Sequence, residues 1–169
     1  HQITELANLL WYPLWDSGLD LDHAVRSRAQ CEAVTDHDLP AATGWLEVRP
    51  VAGDAELIED TASSILERWR RAARRRLPEL LDSAQARLLE SGRLPYLNQP
   101  NVKEAHGGLR DTVLVSALAA SWLADRPHGG YDDAVERLLD VRDCIHLAAG
   151  RDTNLLLTAY QPAVAAMLG

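Results

Sequence analysis

Two aspartates, a glycine pair between cations, and an arginine–histidine pair are where residue type and spacing point to chemistry. Asp20 and Asp22 take alternate positions in LDLDHAV, Leu19 to Val25. On a strand, alternate side chains share a face, so two carboxylates there can offer oxygens to a hard divalent cation. A solvated strand edge gives the same pattern, and one pair supplies too few ligands without others from elsewhere. The stretch Asn101 to Asp111 reads NVKEAHGGLRD, with Gly107 and Gly108 between Lys103 and Arg110 at the mouth of an apolar-periodic segment. Adjacent glycines let backbone N–H groups approach a ligand, and a helix starting near Leu109 offers its positive end, so phosphate is the natural guest. A glycine pair that merely turns the chain into a helix would look alike. Arg142 and His146, four residues apart, stack on one helix face beside Leu138 and Ile145; neighbouring loops can equally satisfy them.

Other candidates are weaker. The six histidines show no zinc-ligand spacing, and no serine or cysteine sits in a nucleophile motif. Arg68, Arg70, Arg71, Arg74, Arg75 and Arg76 spread around one helix, a run expected to be a solvated face balanced by acids.

The elements that must position these groups are mostly helical. Ile3, Leu6, Leu9, Leu10 and Leu14 recur at helical spacing up to Trp15, which predicts a buried first helix interrupted by Pro13. Leu19 to Val25 is expected as a strand with Asp20 and Asp22 on one face. Ser27 can cap a short helix through Cys31, and Asp36 to Pro40 reads as a loop. Ala41 to Ala52 fits either a strand or the end of a helix broken at Pro50. Asp54 is a good N-cap for a helix whose apolar period continues to Gly92, with Pro78 expected to kink or split it. Val113, Leu114, Ala117, Leu118 and Trp122 mark one face of a further helix. Another runs from Tyr131 to Ala149 and stops at Gly150, and Tyr160 to Leu168 is a last short helix.

Composition narrows the function classes. Apolar residues make up 47% and charged residues 25% of the 169, which excludes disorder. The five tryptophans are the large aromatic anchors, since phenylalanine is absent. A net charge of −8 argues against a nonspecific nucleic-acid binder, so any polyanion contact must be local. Cys31 and Cys144 lie far apart without a CxxC, which suggests reduced thiols and a cytoplasmic setting. No stretch approaches the roughly 18 to 20 apolar residues of a membrane span. His1 opens directly into a helical pattern, as an internal segment of a longer chain would.

Three stretches carry a resemblance to a known family: WDSGLDLDHAVRS (Trp15 to Ser27), VAGD (Val51 to Asp54), and NVKEAHGGLRD followed later by LLDVRDCIHLAAGR (Leu138 to Arg151). On these residues, and in order over nearly its whole length, the chain resembles the bacterial PII-protein uridylyltransferase/uridylyl-removing family, close to its actinobacterial members. The glutamine synthetase adenylyltransferases share a similar glycine stretch and a VAGD, so the VRDCIHLAAGR run is what favours the PII-modifying side. The resemblance implies a mainly α chain: the C-terminal portion of an α/β nucleotidyltransferase-fold domain, residues 1–53, followed by a helical domain, residues 54–169, that closes over the nucleotide.

Such enzymes hold two metal ions, here Mg²⁺, with a GG(S/Y) turn and a DxD strand, plus a third carboxylate on a later strand. Aligning HAVR with the adenylyltransferase strand places that carboxylate, and with it the metal, at Asp22 beside Asp20. The turn and the DxD strand are expected upstream of His1, with HD and ACT domains downstream, so these 169 residues alone are expected to be inactive. The nucleotide-binding set is Lys103, Gly107, Gly108, Arg110, Arg142 and His146. Where the family usually has Gly-Pro, this chain has Ala105 and His106. The implied reaction is transfer of UMP from UTP, or AMP from ATP, to a tyrosine of the PII signal protein. A glutamine synthetase adenylyltransferase and a non-catalytic docking module are the alternatives.

Overall fold

The computed structural model describes residues 2–18 and 21–169. Among them are seven α-helices: α1 (Gln2–Asp16), α2 (Arg28–Thr35), α3 (Leu39–Trp45), α4 (Ala55–Ser91), α5 (Leu109–Ala120), α6 (Tyr131–Ala149) and α7 (Gln161–Leu168), with one 3-10 turn at Leu94–Tyr96. Local chemistry sets the helix starts. At α2 the Ser27 hydroxyl accepts from the Gln30 N–H while the Gln30 side chain accepts from the Ser27 N–H, a reciprocal cap. The Asp54 carboxylate accepts from the Leu57 N–H at 3.2 Å and opens α4.

Two expectations around Pro40 and Pro78 need correction. Asp36 to Pro40 is not a loop throughout: Asp38 caps Ala41 N–H at 2.8 Å, and Pro40 sits in the first turn of α3, where a missing N–H removes no helical bond. The ambiguous stretch after it resolves into the end of α3 and irregular backbone from Val48 to Pro50. Pro78 does not split α4, which is continuous for 37 residues. Its missing N–H removes one bond, while Trp69, Ala73 and Leu80 anchor the turns on either side in buried contacts.

One buried cluster joins Leu39 and Ala42 of α3, Trp69 and Leu80 of α4, and Ala117 of α5. The Trp69 indole N–H donates to Ala117 O at 2.9 Å, so this large side chain fills the core without orphaning its polar atom. The expected boundary between residues 53 and 54 therefore runs through a shared core. A second cluster joins Val102, Ile145 of α6 and Val164 of α7.

The arginine run is not a uniform solvated face. Arg76 is 7% exposed, donates from Nη1 to Thr35 O at 2.6 Å at the end of α2, and pairs through Nε with Glu79 at 3.1 Å. Arg68 pairs with Asp36, and Arg70 donates to Ala120 O at 3.0 Å while its guanidinium lies 4.0 Å from the Trp122 ring centroid. Three of the six arginines thus tie α4 to its neighbours, and Arg74 and Arg75 stay exposed.

The first helix is correct in type and wrong in burial. Ile3, Leu6, Leu9 and Leu10 are each more than 60% exposed. Its contact with later residues is aromatic: the His23 ring lies 5.3 Å from Trp11 and 4.8 Å from Trp15, and the Trp15 indole donates to Leu21 O at 3.2 Å. The strand expected from Leu19 to Val25 is irregular backbone over its described part, residues 21–25; Leu19 and Asp20 lie outside the described residues. No strand is present among the described residues to supply a ladder, and an unpaired strand does not hold itself. No helix among them is long and apolar enough to cross a membrane.

Candidate functional site

The Asn101 to Asp111 loop is built by its own hydrogen bonds. Asn101 Oδ1 accepts from the Lys103 and Glu104 N–H groups, each at 3.0 Å, turning the chain sharply. Gly108 N–H donates to Ala105 O at 2.8 Å, Leu109 N–H to Val102 O at 2.9 Å, and Arg110 N–H to Lys103 O at 2.9 Å. Gly107 N–H donates to Asp111 Oδ2 at 2.8 Å. The donors that a phosphate cradle would present are therefore already paired inside the loop. Both glycines have packing reasons instead. Gly107 holds φ at +91°, which disfavours any side chain, and a Cβ on Gly108 would lie 2.5 Å from Val102 O.

Asp111 is the keystone of the turn. Its carboxylate also meets Arg87 Nη2 of α4 at 2.9 Å and His106 Nδ1 at 2.9 Å, so α4, the loop and α5 meet on one residue. On the other side the loop is sewn to the segment after α6, with Val102 N–H donating to Asn154 O and Leu156 N–H to Pro100 O, each at 2.9 Å. The same Asn154 takes Arg142 Nε on its side-chain oxygen at 2.9 Å. This shared partner brings the start of α5 beside the later half of α6.

Between these helices opens a cleft of about 390 Å³. Lys103, Arg110 and Arg142 line it, with Arg126 and Tyr131 from the start of α6 and its approach, and Glu47 from beyond α3. Leu109, Val113, Val135 and Leu139 supply apolar walls. Arg110 pairs with Glu104 at 3.3 Å, and Arg126 pairs with Asp132. Among the described residues Lys103 and Arg142 have no carboxylate partner, so the cleft carries uncompensated positive charge in a protein of net −8. Burial raises the Tyr131 phenol above its ordinary pKa, opposed by Arg126 and reinforced by the charges of Asp132 and Glu47. Arg126 sits 5.5 Å from the Tyr131 ring centroid.

Of the residues singled out in the sequence, the structure gathers Lys103, Arg110 and Arg142 in one cleft and leaves others outside it. His146 does not line it; its Nε2 lies 3.2 Å from Asp152 Oδ1, poorly aligned for a hydrogen bond. Gly107 and Gly108 shape the loop behind it. Asp22 is exposed on irregular backbone, and Asp20 lies outside the described residues. No group of three or more His, Cys, Asp or Glu side chains able to hold a metal gathers among the described residues. Sequence reasoning missed Arg126 and Tyr131. Each stands near a helix end where periodicity is silent, although Tyr131 opening α6 beside Arg126 offered a faint signal.

The chain is 47% identical over 167 residues to a bifunctional uridylyltransferase/uridylyl-removing enzyme of Streptomyces coelicolor, covering 99% of this chain and 20% of that protein. Proteins of the same description from Mycobacterium tuberculosis H37Rv and Corynebacterium glutamicum are 38% and 37% identical, over 97% and 95% of this chain. The chain spans about a fifth of the length of these relatives. No protein-family model and no solved structure matches it. The chain is thus homologous, over nearly all of its own length, to a segment of actinobacterial bifunctional uridylyltransferase/uridylyl-removing enzymes.

Proposed function

We propose that the cleft between α5 and α6 receives the phosphates of a nucleoside triphosphate in an enzyme that transfers UMP from UTP, or AMP from ATP, to a tyrosine of the PII signal protein. The observation that carries this is the convergence of Lys103, Arg110 and Arg142 on one concave surface, two of them without a carboxylate partner among the described residues. Guanidinium and ammonium groups in such a setting hold phosphate oxygens by charge-assisted hydrogen bonds. Homology to a segment of uridylyl-transferring and uridylyl-removing enzymes supplies the reaction class.

Each residue has a distinct part in this reading. Arg142 is aimed by its Nε bond to Asn154, which leaves its Nη groups for the ligand. Arg110 exchanges Glu104 for a phosphate oxygen, an exchange made cheap because the pair is half exposed. Lys103 adds a point charge from the turn that Asn101 fixes. With the phosphates held, the tyrosine hydroxyl of the partner attacks the α-phosphorus in line with the departing pyrophosphate, and fixed cations offset charge on the leaving oxygens. Asp22, with Asp20, is the proposed carboxylate contribution to a Mg²⁺ site. The described residues do not by themselves gather enough ligands to hold that ion.

Titrating UTP, ATP and inorganic tripolyphosphate into the protein and its Lys103→Ala, Arg110→Ala and Arg142→Ala variants tests the reading. Each substitution is expected to weaken all three ligands about tenfold, the scale of one charge-assisted hydrogen bond, while melting close to wild type. Variants that lose melting temperature and keep affinity would make these residues scaffold.

A further inference from the structure

The cleft is longer and more apolar than a triphosphate needs, and its two ends differ. Arg142 and Tyr131 face it from positions eleven residues apart on α6, about 16 Å of helix rise. Tyr131, Val135, Leu139 and Arg142 follow one another along the wall from α6, with the turn of Lys103 and Arg110 joined to the Arg142 end through Asn154, and Glu47 close enough to the Tyr131 end for its charge to act on that phenol. Glu47 is the acidic residue among those lining the cleft, and a carboxylate repels polyphosphate. Arg126 stands over the Tyr131 ring at 5.5 Å while held by Asp132, so its charge at that end is already matched.

From this polarity we infer that Tyr131 is the base platform of the site, with the nucleobase stacked on its ring, the ribose along Val135 and Leu139, and the phosphates at Lys103, Arg110 and Arg142. An aromatic face accepts any base, and Arg126 on the same ring adds a second planar surface. Glu47 accepts a hydrogen bond from an N–H on the base edge and bars entry of the ligand with its phosphates first. The inference rests on the proposed nucleotide site and assigns its orientation and its nucleoside end, neither of which follows from the cluster of cations.

Binding of tripolyphosphate, UTP and ATP to Tyr131→Ala, Tyr131→Phe and Glu47→Gln separates the two levels, with Arg142→Ala as the phosphate-end control. Tyr131→Ala is expected to weaken both nucleotides at least fivefold, the lower bound for losing a base-stacking contact, and to leave tripolyphosphate affinity within twofold of wild type. Tyr131→Phe keeps the stack and should bind nucleotides within about twofold of wild type. Glu47→Gln should tighten tripolyphosphate binding, because a repelling charge has gone. Unchanged tripolyphosphate affinity also certifies that Tyr131→Ala has kept its fold. If Tyr131→Ala weakens tripolyphosphate as much as the nucleotides, or weakens neither while Arg142→Ala weakens both, the platform assignment is wrong and the nucleotide site stands. If wild type binds none of the three ligands, the nucleotide site falls and the platform with it.

Discussion

Replacing Gly108 with alanine should damage this protein more than replacing Gly107, although Gly107 alone has the backbone angle reserved for glycine. A methyl group on Gly108 would sit 2.5 Å from Val102 O and 2.8 Å from Ala105 O, both backbone atoms that no side-chain rotation can move. Those two oxygens are also the acceptors for Leu109 and Gly108 N–H. The turn must open, so overpacking of about 1–3 kcal/mol is joined by the weakening of two bonds of about 1 kcal/mol each. A loss of roughly 3–5 kcal/mol results, which for a domain of this size lowers the melting temperature by about 6–20 °C. Gly107→Ala meets nothing nearer than Leu94 Cβ at 3.9 Å and bears only the left-handed backbone penalty, about 1 kcal/mol. Urea and thermal denaturation of both variants give the comparison directly. Equal losses, or a Gly107 variant that is the less stable, would refute the claim that carbonyl crowding sets the requirement at Gly108.

Other perturbations have equally definite outcomes. Asp111→Ala breaks contacts to Arg87, His106 and Gly107 N–H together, and should cost about 2–4 kcal/mol in urea denaturation because Arg87 is left largely buried without its acid. The Asp36 carboxyl is held below its ordinary value by the Arg68 hydrogen bond, and Glu32 by Ser64 and then Arg28. For a carboxyl depressed in the folded state, stabilisation is present above the unfolded pKa and is lost as pH falls through the folded one. Melting temperature should therefore drop on acidification below the ordinary carboxylate range, and Asp36→Asn should flatten that drop; an unchanged slope would remove Asp36 as a contributor. Burial raises the Cys31 thiol, so iodoacetamide at neutral pH should label Cys144 well before Cys31 in mass-spectrometric peptide mapping.

What was legible in the sequence was local. Asp54 and Gly150 bound their helices because a cap needs only its own neighbours, and α4, α5 and α6 follow from apolar period. Burial was not legible at α1, since an apolar stripe says which face would be covered and nothing about what covers it. Six arginines on α4 look equivalent until α2 ends with Thr35 O within reach of one of them. The pairing of the N–H groups at the glycine pair was not legible, because a sequence does not show that Val102 and Ala105 turn their carbonyls inward. Lys103, Arg110 and Arg142 line one cleft, and their meeting depends on Asn154 binding both Val102 and Arg142, a pairing with no sequence signature. Tyr131 and Arg126 carry no sequence signature for the same reason: they join Glu47 only when the residues after α3 approach the start of α6.

The most direct test of the central claim is a crystal structure of the protein soaked with a slowly hydrolysed nucleoside triphosphate. The account predicts phosphate density between α5 and α6, within about 3 Å of Lys103 Nζ and of the Arg110 and Arg142 guanidinium groups, with Arg110 released from Glu104. Phosphates found instead on the arginine face of α4, around Arg68, Arg71 and Arg75, with the cleft empty, would contradict it.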